Sequence, residues 1–436
     1  RRLFTAQVVA LIGTGLATVA LGLLAYDLAG ADAGSVLGTA LAVKMVAYVA
    51  IAPAVGAVAD RLPRRALMVA ADLTRASVAL LLPFVDQVWQ VYVLIFLLQA
   101  ASATFTPTFQ AVIPDVLPAE RDYTRALSLS RLAYDLESLF SPALAAALLS
   151  LITYNWLFLG TVSGFAASAA LVVSAALPTP VAAATPRTGG VYARTAADTR
   201  LFFSVPQLRA LLALDLAVAA AGAVVTVNSV VYVRDQLGRS AADVPLALGS
   251  YGAGSMAVAL LLPRVLDRVP DRTVMLRGAL LLAGVFVALG VITGAGGGGW
   301  RWPALLVCWA AFGAACSMVL TPTGRLIRRA VPPERRTSAF AAQFSLSHGC
   351  WLLTYPLAGR LGAAAGFQPA VLVLGALALA AGLLAVHLWP PSAAAPVEHE
   401  HAGLPAGHPH LSDATRVRDG WRHSHHPLFD GLHAHS

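Results

Sequence analysis

A few ionisable side chains stand inside long apolar runs: Lys44, Asp135, Glu137, Asp215 and His348. Charge is costly in the hydrocarbon of a bilayer, so such residues are functional candidates by default. A carboxylate and an imidazole together suit a divalent cation, and each can exchange a proton. Glu137 and His348 are therefore read as the leading pair for transport and proton coupling, with Asp135, Lys44 and Asp215 beside them. Structural readings compete. Arg131 and Asp135 are four residues apart, share a helical face and can form a packing ion pair. Lys44 can pair with Asp27 or Glu137, or extend its amine to the interface. His348 can hydrogen-bond between helices. Asp72 and Arg75 stand closer to a helix end, and Cys350 reads as a small packing residue.

A second group of candidates lies at the C-terminal end. Nine of the 11 histidines fall after residue 390: His399, His401, His408, His410, His423, His425, His426, His433 and His435. Imidazoles favour nickel, copper and zinc, so this segment reads as a ligand for Ni2+, or for Co2+ or Zn2+. An uninterrupted purification tag is a poor match to this spacing. A third motif is Gly56-Ala-Val-Ala-Asp60-Arg61-Leu-Pro-Arg64-Arg65, of the form G-x-x-x-D-R-x-x-R-R. Gly56 permits close helix approach. Asp60 precedes a helix, where its charge suits the positive end. A partial second copy is Asp267-Arg268, with Pro263 where Gly is expected.

The elements that must position these residues follow from composition. Of the 436 residues, 58% are hydrophobic and 12% charged; a soluble domain carries about 25% charged residues. The formal charge of +8 comes from arginines at helix ends, so a bilayer is the expected partner and nucleic acid is not. The three cysteines show no CxxC spacing. No cleavable signal is read, nor any phosphate loop or nucleophile–base constellation, so an enzyme is not expected. Apolar stretches of about 20 residues can each span a bilayer. They predict helices near 5–28, 34–58, 66–85, 88–113, 124–150, 154–177, 207–232, 244–265, 273–293, 303–324, 337–361 and 367–389.

The expected organisation is a six-helix bundle over 1–177, a cytoplasmic linker over 178–206, a second six-helix bundle over 207–389 and a disordered His-rich tail over 390–436. Arginines crowd alternate loops, which puts both termini and the linker in the cytoplasm. The halves echo each other. Thr106-Pro107-Thr108 recurs as Thr321-Pro322-Thr323, and Pro118-Ala119-Glu120-Arg121 as Pro332-Pro333-Glu334-Arg335. The second echo sets an offset of 214, from 118 to 332, which pairs Tyr134 with His348 and Glu137 with Trp351. Same-direction repeats predict a substrate path between the halves near mid-bilayer. On that symmetry Glu137 and His348 are expected at one central cavity.

The loop motif after the second span resembles the signature of the major facilitator superfamily, over residues 1–390. That resemblance implies an all-α membrane protein, with twelve transmembrane helices in two pseudo-symmetric bundles. It also gives Gly56, Asp60, Arg61, Arg64, Arg65, Asp267 and Arg268 a gating role. The runs from Ala6 to Leu21, Tyr26-Asp27-Leu28 and Thr124 to Glu137, with the tail, resemble bacterial nickel-resistance exporters. This implies a monomeric exporter of divalent metal, nickel first, working by proton antiport in the bacterial cytoplasmic membrane. Drug–proton antiporters of the superfamily carry Gly-x-x-x-Gly-Pro in span five, where this chain has Glu137 and Ser141-Pro142. Export of drugs, siderophores or other organic molecules is the alternative. A metal sensor on a transporter scaffold is a third.

Overall fold

The computed structural model describes residues 2–59, 63–116, 141, 144–175, 200, 202–295, 297–331, 336–389, 397–401, 415–417 and 420–425. Inside a bilayer every backbone group must be satisfied within the protein, so long apolar runs become helices. In the first half these are α1 (Arg2–Ala29), α2 (Ala33–Ala59), α3 (Arg64–Leu81), α4 (Val88–Val116) and α5 (Tyr154–Ser174). The second half has α6 (Pro206–Val231), α7 (Asp243–Leu266), α8 (Asp271–Gly294), α9 (Arg301–Leu320), the short α10 (Thr323–Ala330), α11 (Arg336–Ala365) and α12 (Phe367–Leu388). The span predicted over 124–150 falls mostly outside the described residues; 144–149 are helical.

Local chemistry sets the breaks. Pro63 and Pro270 stand just before α3 and α8, and Pro206 opens α6, where a missing N–H costs nothing. Gly366, at φ +90°, makes the sharp turn between α11 and α12, a conformation that a side chain disfavours. The last turn of α6 widens into a π-helical segment, Tyr232–Gln236.

Helix pairing repeats between the halves. In the first half α1 packs on α5, α2 on α4, and α3 on both α4 and α5. In the second, α6 packs on α12, α7 on α9, and α8 on both α9 and α12. The fold is thus an all-α membrane fold of two equivalent halves. Between the halves, α2 lies along α11 and also touches α6. The buried core centres on α6, where most residues from Leu208 to Val233 are enclosed. Outward faces carry bare apolar side chains such as Leu280 (73% exposed) and Val287 (68% exposed), as a lipid-facing surface requires. Among the described residues, nine stretches are long and apolar enough to cross a membrane; the first, Arg2–Val49, runs through α1 into α2. The chain is a multi-pass membrane protein.

The C-terminal segment departs from the expectation of no regular structure. Three strands, β1 (Val397–His401), β2 (Thr415–Val417) and β3 (Gly420–His425), form an antiparallel sheet in the order β1-β3-β2. The segments Val397-Glu-His-Glu-His401 and Trp421-Arg-His-Ser-His425 alternate residue types with a period of two, the strand period. Composition alone hid that alternation.

Candidate functional site

A cavity of about 460 Å³ lies between the halves. Helices α1, α2, α3 and α4 supply Gln7, Thr14, Thr18, Lys44, Tyr48, Arg75, Gln99, Ser102 and Phe105 from one side. Thr226, Leu248, Tyr251 and Tyr355 come from α6, α7 and α11 on the other. The described lining is aromatic, aliphatic and neutral polar, with two cations and no carboxylate. Of the residues predicted for transport, Lys44 lines it. Glu137 and Asp135 lie outside the described residues. Sequence reasoning missed the three tyrosines, which in an apolar helix look like packing residues.

Arg75 is held by a built cluster. Its guanidinium pairs with Asp72, one turn earlier on α3. Ser168 of α5 donates to the other carboxylate oxygen of Asp72 at 2.7 Å. The same guanidinium lies 4.5 Å from the ring centroids of both Phe105 and Phe165. Ion pair and aromatic faces together allow a charge to sit at 4% exposure.

His348 is not part of the described cavity lining. Its Nδ1 lies 2.6 Å from the Phe344 carbonyl oxygen, one turn back on α11. Its ring packs 4.1 Å from Phe344 and 5.6 Å from Tyr48 of α2, centroid to centroid. The imidazole therefore sits in the α2–α11 contact between halves. Among the residues whose side chains are described, no group of three or more His, Cys, Asp or Glu is placed to hold a metal ion. Asp215 is buried between α6 and α11. Gln343 Nε2 donates to Asp215 Oδ2 at 2.6 Å, while Asp215 Oδ1 and Gln343 Oε1 have no partner.

The loop motif is partly visible. Gly56 lies in the last turns of α2, Arg64 opens α3, and Arg65 Nη2 donates to the Ala175 carbonyl at 2.6 Å. Asp60 and Arg61 are outside the described residues. In the second half Asp267 and Arg268 are exposed in the turn between α7 and α8. The carboxylate that gathers arginines there is Asp271, in the first turn of α8. It pairs with Arg325 at 3.1 Å and Arg329 at 3.2 Å, both from α10. The signal was present as a second Asp-Arg pair, Asp271-Arg272, directly after Pro270.

At the opposite end from Arg65, the halves are in contact. The Tyr26 phenol donates to Asp235, and Arg234 lies 4.9 Å from the Tyr26 ring. Within the second half, Asn228 Nδ2 of α6 donates to the Ala358 carbonyl of α11 at 3.3 Å. In the tail, the ladder sets His399 opposite His423, Val397 opposite His425 and His401 opposite Trp421. His408, His410, His426, His433 and His435 fall outside the described residues.

Comparison with known proteins places this geometry. The Major Facilitator Superfamily pattern matches residues 3–300 and 212–427. Over 125 residues the chain is 31% identical to Macrolide efflux protein A of Streptococcus pyogenes, covering 28% of this chain and 31% of that protein. It is 26% identical over 124 residues to the uncharacterized MFS-type transporter YfiS of Bacillus subtilis (strain 168), covering 28% and 30%. These matches span about a third of the relatives' lengths. The crystal structure of the nucleoside transporter NupG, in a point variant, superposes with a TM-score of 0.72 at 14% identity, covering 89% of this chain and 100% of that one. A D-xylose–proton symporter gives 0.68 at 15% identity, covering 89% and 97%. At such identities the structures speak for the fold alone.

Proposed function

The chain belongs to the Major Facilitator Superfamily, and on that premise we propose that it exports organic molecules of moderate size by proton antiport. The observation that carries this reading is the cavity. Its roughly 460 Å³ fall in the range of small-molecule sites. Tyr48, Tyr251, Tyr355 and Phe105 offer flat apolar faces, and Gln7, Gln99 and Thr226 offer neutral hydrogen bonds. Such a lining suits a carbon-rich molecule better than a small hard or borderline cation, which needs converging carboxylates, thiolates or imidazoles. The resemblance to macrolide efflux proteins points the same way. Lys44 and Arg75 add N–H groups to the lining.

The arginine distribution supports cytoplasmic termini and linker. The contacts of Tyr26 with Asp235 and Arg234 then close the outer end. In the proposed cycle the halves rock about the cavity, these contacts break, and substrate leaves outward as a proton enters. Gly56, Asp60, Arg61, Arg64 and Arg65 would govern the inner end. The setting is a bacterial cytoplasmic membrane.

A second reading, export of Ni2+ or a related divalent metal, has one specific observation behind it. Strand residues two apart share a face, so the register puts His399, His401, His423 and His425 on one face of the β1–β3 ladder. The two readings separate in one experiment. The chain is expressed in a bacterial strain sensitive to both drugs and metals, and cell content of macrolides and of nickel, cobalt and zinc is measured. Lower macrolide content alone supports organic export. Lower metal content with unchanged macrolide supports the second reading and removes the first.

A further inference from the structure

Asp215 and Gln343 present an unusual balance of donors and acceptors. The pair joins α6 to α11, 128 residues apart in the chain. Gln343 Nε2 donates to one carboxyl oxygen of Asp215 at 2.6 Å. The other carboxyl oxygen, Oδ1, has no partner, and neither does the amide oxygen of Gln343. Asp215 is 2% exposed and Gln343 8%, so neither bare atom is turned to solvent. Both atoms are acceptors when the carboxyl is ionised, because a carboxylate and an amide oxygen have no hydrogen to give.

A single proton resolves both vacancies. Placed on Asp215 Oδ1, it makes a hydroxyl that can donate to Gln343 Oε1. A carboxylic acid and a primary amide then close a ring of two hydrogen bonds, Nε2–H to Oδ2 and Oδ1–H to Oε1. We propose that Asp215, paired with Gln343, is the proton-carrying site of the transport cycle, and that this structure is its protonated state. Among the described residues no side chain of α1, α2, α8, α9, α10 or α12 forms an ion pair with Asp215. The titratable neighbour on α11 is Cys350, and Cys350 Sγ lies 4.0 Å from the Leu212 carbonyl of α6. The carboxyl therefore has an amide and a thiol near it and no described cation to hold it ionised.

The location suits coupling. Helix α11 carries Gln343 against α6 in its own half. The next residue, Phe344, and His348 meet Tyr48 on α2 of the other half. Rocking of the halves thus acts on the helix that supplies the amide. When Gln343 withdraws and water reaches the carboxyl, the acid passes its proton to that water; when the amide returns, the carboxyl must hold a proton to pair with it. The step is a plain binding equilibrium: carboxylate and proton give carboxylic acid, with no other bond made or broken.

The coupling role rests on the proton-driven reading above, whereas the protonated pair is testable without it. The full chain is reconstituted in lipid, and infrared spectra are recorded at neutral pH. The wild type is expected to show a carboxylic-acid carbonyl band that Asp215→Asn removes. Gln343→Leu is expected to shift that band to higher frequency, since the hydroxyl loses its acceptor. Asn at 215 can close an amide–amide ring with Gln343, so thermal unfolding of this variant should match the wild type. In proteoliposomes carrying a pH gradient and a radiolabelled macrolide, export by Asp215→Asn should fall to the level of empty vesicles. A wild-type spectrum without the Asp215 acid band overturns the proposal. So does proton-driven export that persists in Asp215→Asn, which removes the site while leaving the antiport reading intact. Wild-type export that ignores the pH gradient overturns the antiport reading and the coupling role with it.

Discussion

Tyr26 at the end of α1 and Asp235 in the π-helical turn after α6 form a hydrogen bond that bridges the two halves. The turn presents residues in two directions. Tyr232 faces its own half, with its ring 4.2 Å from Phe367 and its hydroxyl 3.1 Å from Arg301. Arg234 and Asp235 face the other half, at Tyr26. A π turn adds a residue to the helix and is frequent at functional sites. Here it anchors one side of a latch while presenting the other.

Opening of this end must break the latch, so weakening it should favour the open state. Tyr26→Phe keeps the ring under Arg234 and loses the hydrogen bond. Tyr26→Ala loses both. A cation–π contact at an exposed site is worth about 0.5–1 kcal/mol, a few-fold change in population. Labelling of a cysteine introduced at Thr226, on the cavity wall, should therefore be fastest in Tyr26→Ala, intermediate in Tyr26→Phe and slowest with Tyr26. Equal rates in all three would show that Tyr26 does not hold this end shut.

A tighter contact lies beside the latch, where α2 crosses α11. A Cβ at Gly38 would run into the Tyr355 carbonyl, and one at Gly359 into the Gly34 carbonyl. These are backbone atoms, which cannot yield by changing rotamer. Gly359→Val should hold the halves apart at this end and abolish transport, while each half keeps its own packing. The check is transport together with cysteine labelling from the Tyr26 side. The variant should label faster than wild type and elute as a single species of unchanged size. Full transport by Gly359→Val would mean that the crossing is not needed closed.

Much of the fold was legible because one constraint dominates: an apolar run in lipid has nowhere to put its backbone groups except into a helix. Predicted spans such as 5–28 and 244–265 accordingly match α1 and α7 to within three residues. Lys44 stands out from one helix alone, as a charge in an apolar run, and it lines the cavity. The site was not legible where it depended on helix crossings. Helical angles relate residues on one element, but not Gln343 to Asp215 across 128 positions. The repeat offset gave His348 a matching face, yet that face meets Tyr48 of α2 and is filled by ring packing. Asp267 and Asp271 look alike in sequence. Only the start of α8 at Asp271 decides which carboxylate meets Arg325 and Arg329.

The Arg75 cluster yields a stability prediction. Both members of the Asp72–Arg75 pair are enclosed, at 0% and 4% exposure. Asp72→Asn takes the carboxylate away from the buried guanidinium, and breaking a buried pair costs about 3–5 kcal/mol. Asp72→Asn should lower the thermal unfolding temperature sharply. Combining it with Arg75→Met should recover much of the loss, because the pair is then removed as a whole and neither partner keeps its charge. The double variant should nonetheless transport poorly, since Arg75 also lines the cavity. Additive losses in the two variants would show that the pair is not coupled.

The tail sheet makes a prediction about metal. Directly opposed residues on neighbouring strands have Cβ atoms about 4.5–5.5 Å apart. His399 and His423 are such a pair, and His401 and His425 follow on the same face. In chain order, His408 and His410 fall between β1 and β2. If the ladder forms the metal site, His399→Ala with His423→Ala should weaken Ni2+ binding to the full chain on the order of tenfold or more, about 1.4 kcal/mol per tenfold. His408→Ala with His410→Ala should change it little, although both pairs remove two imidazoles. Calorimetry of the purified protein against nickel alone reads the difference. Equal losses for the two pairs would mean that the tail binds metal by histidine content, with no contribution from the strand register.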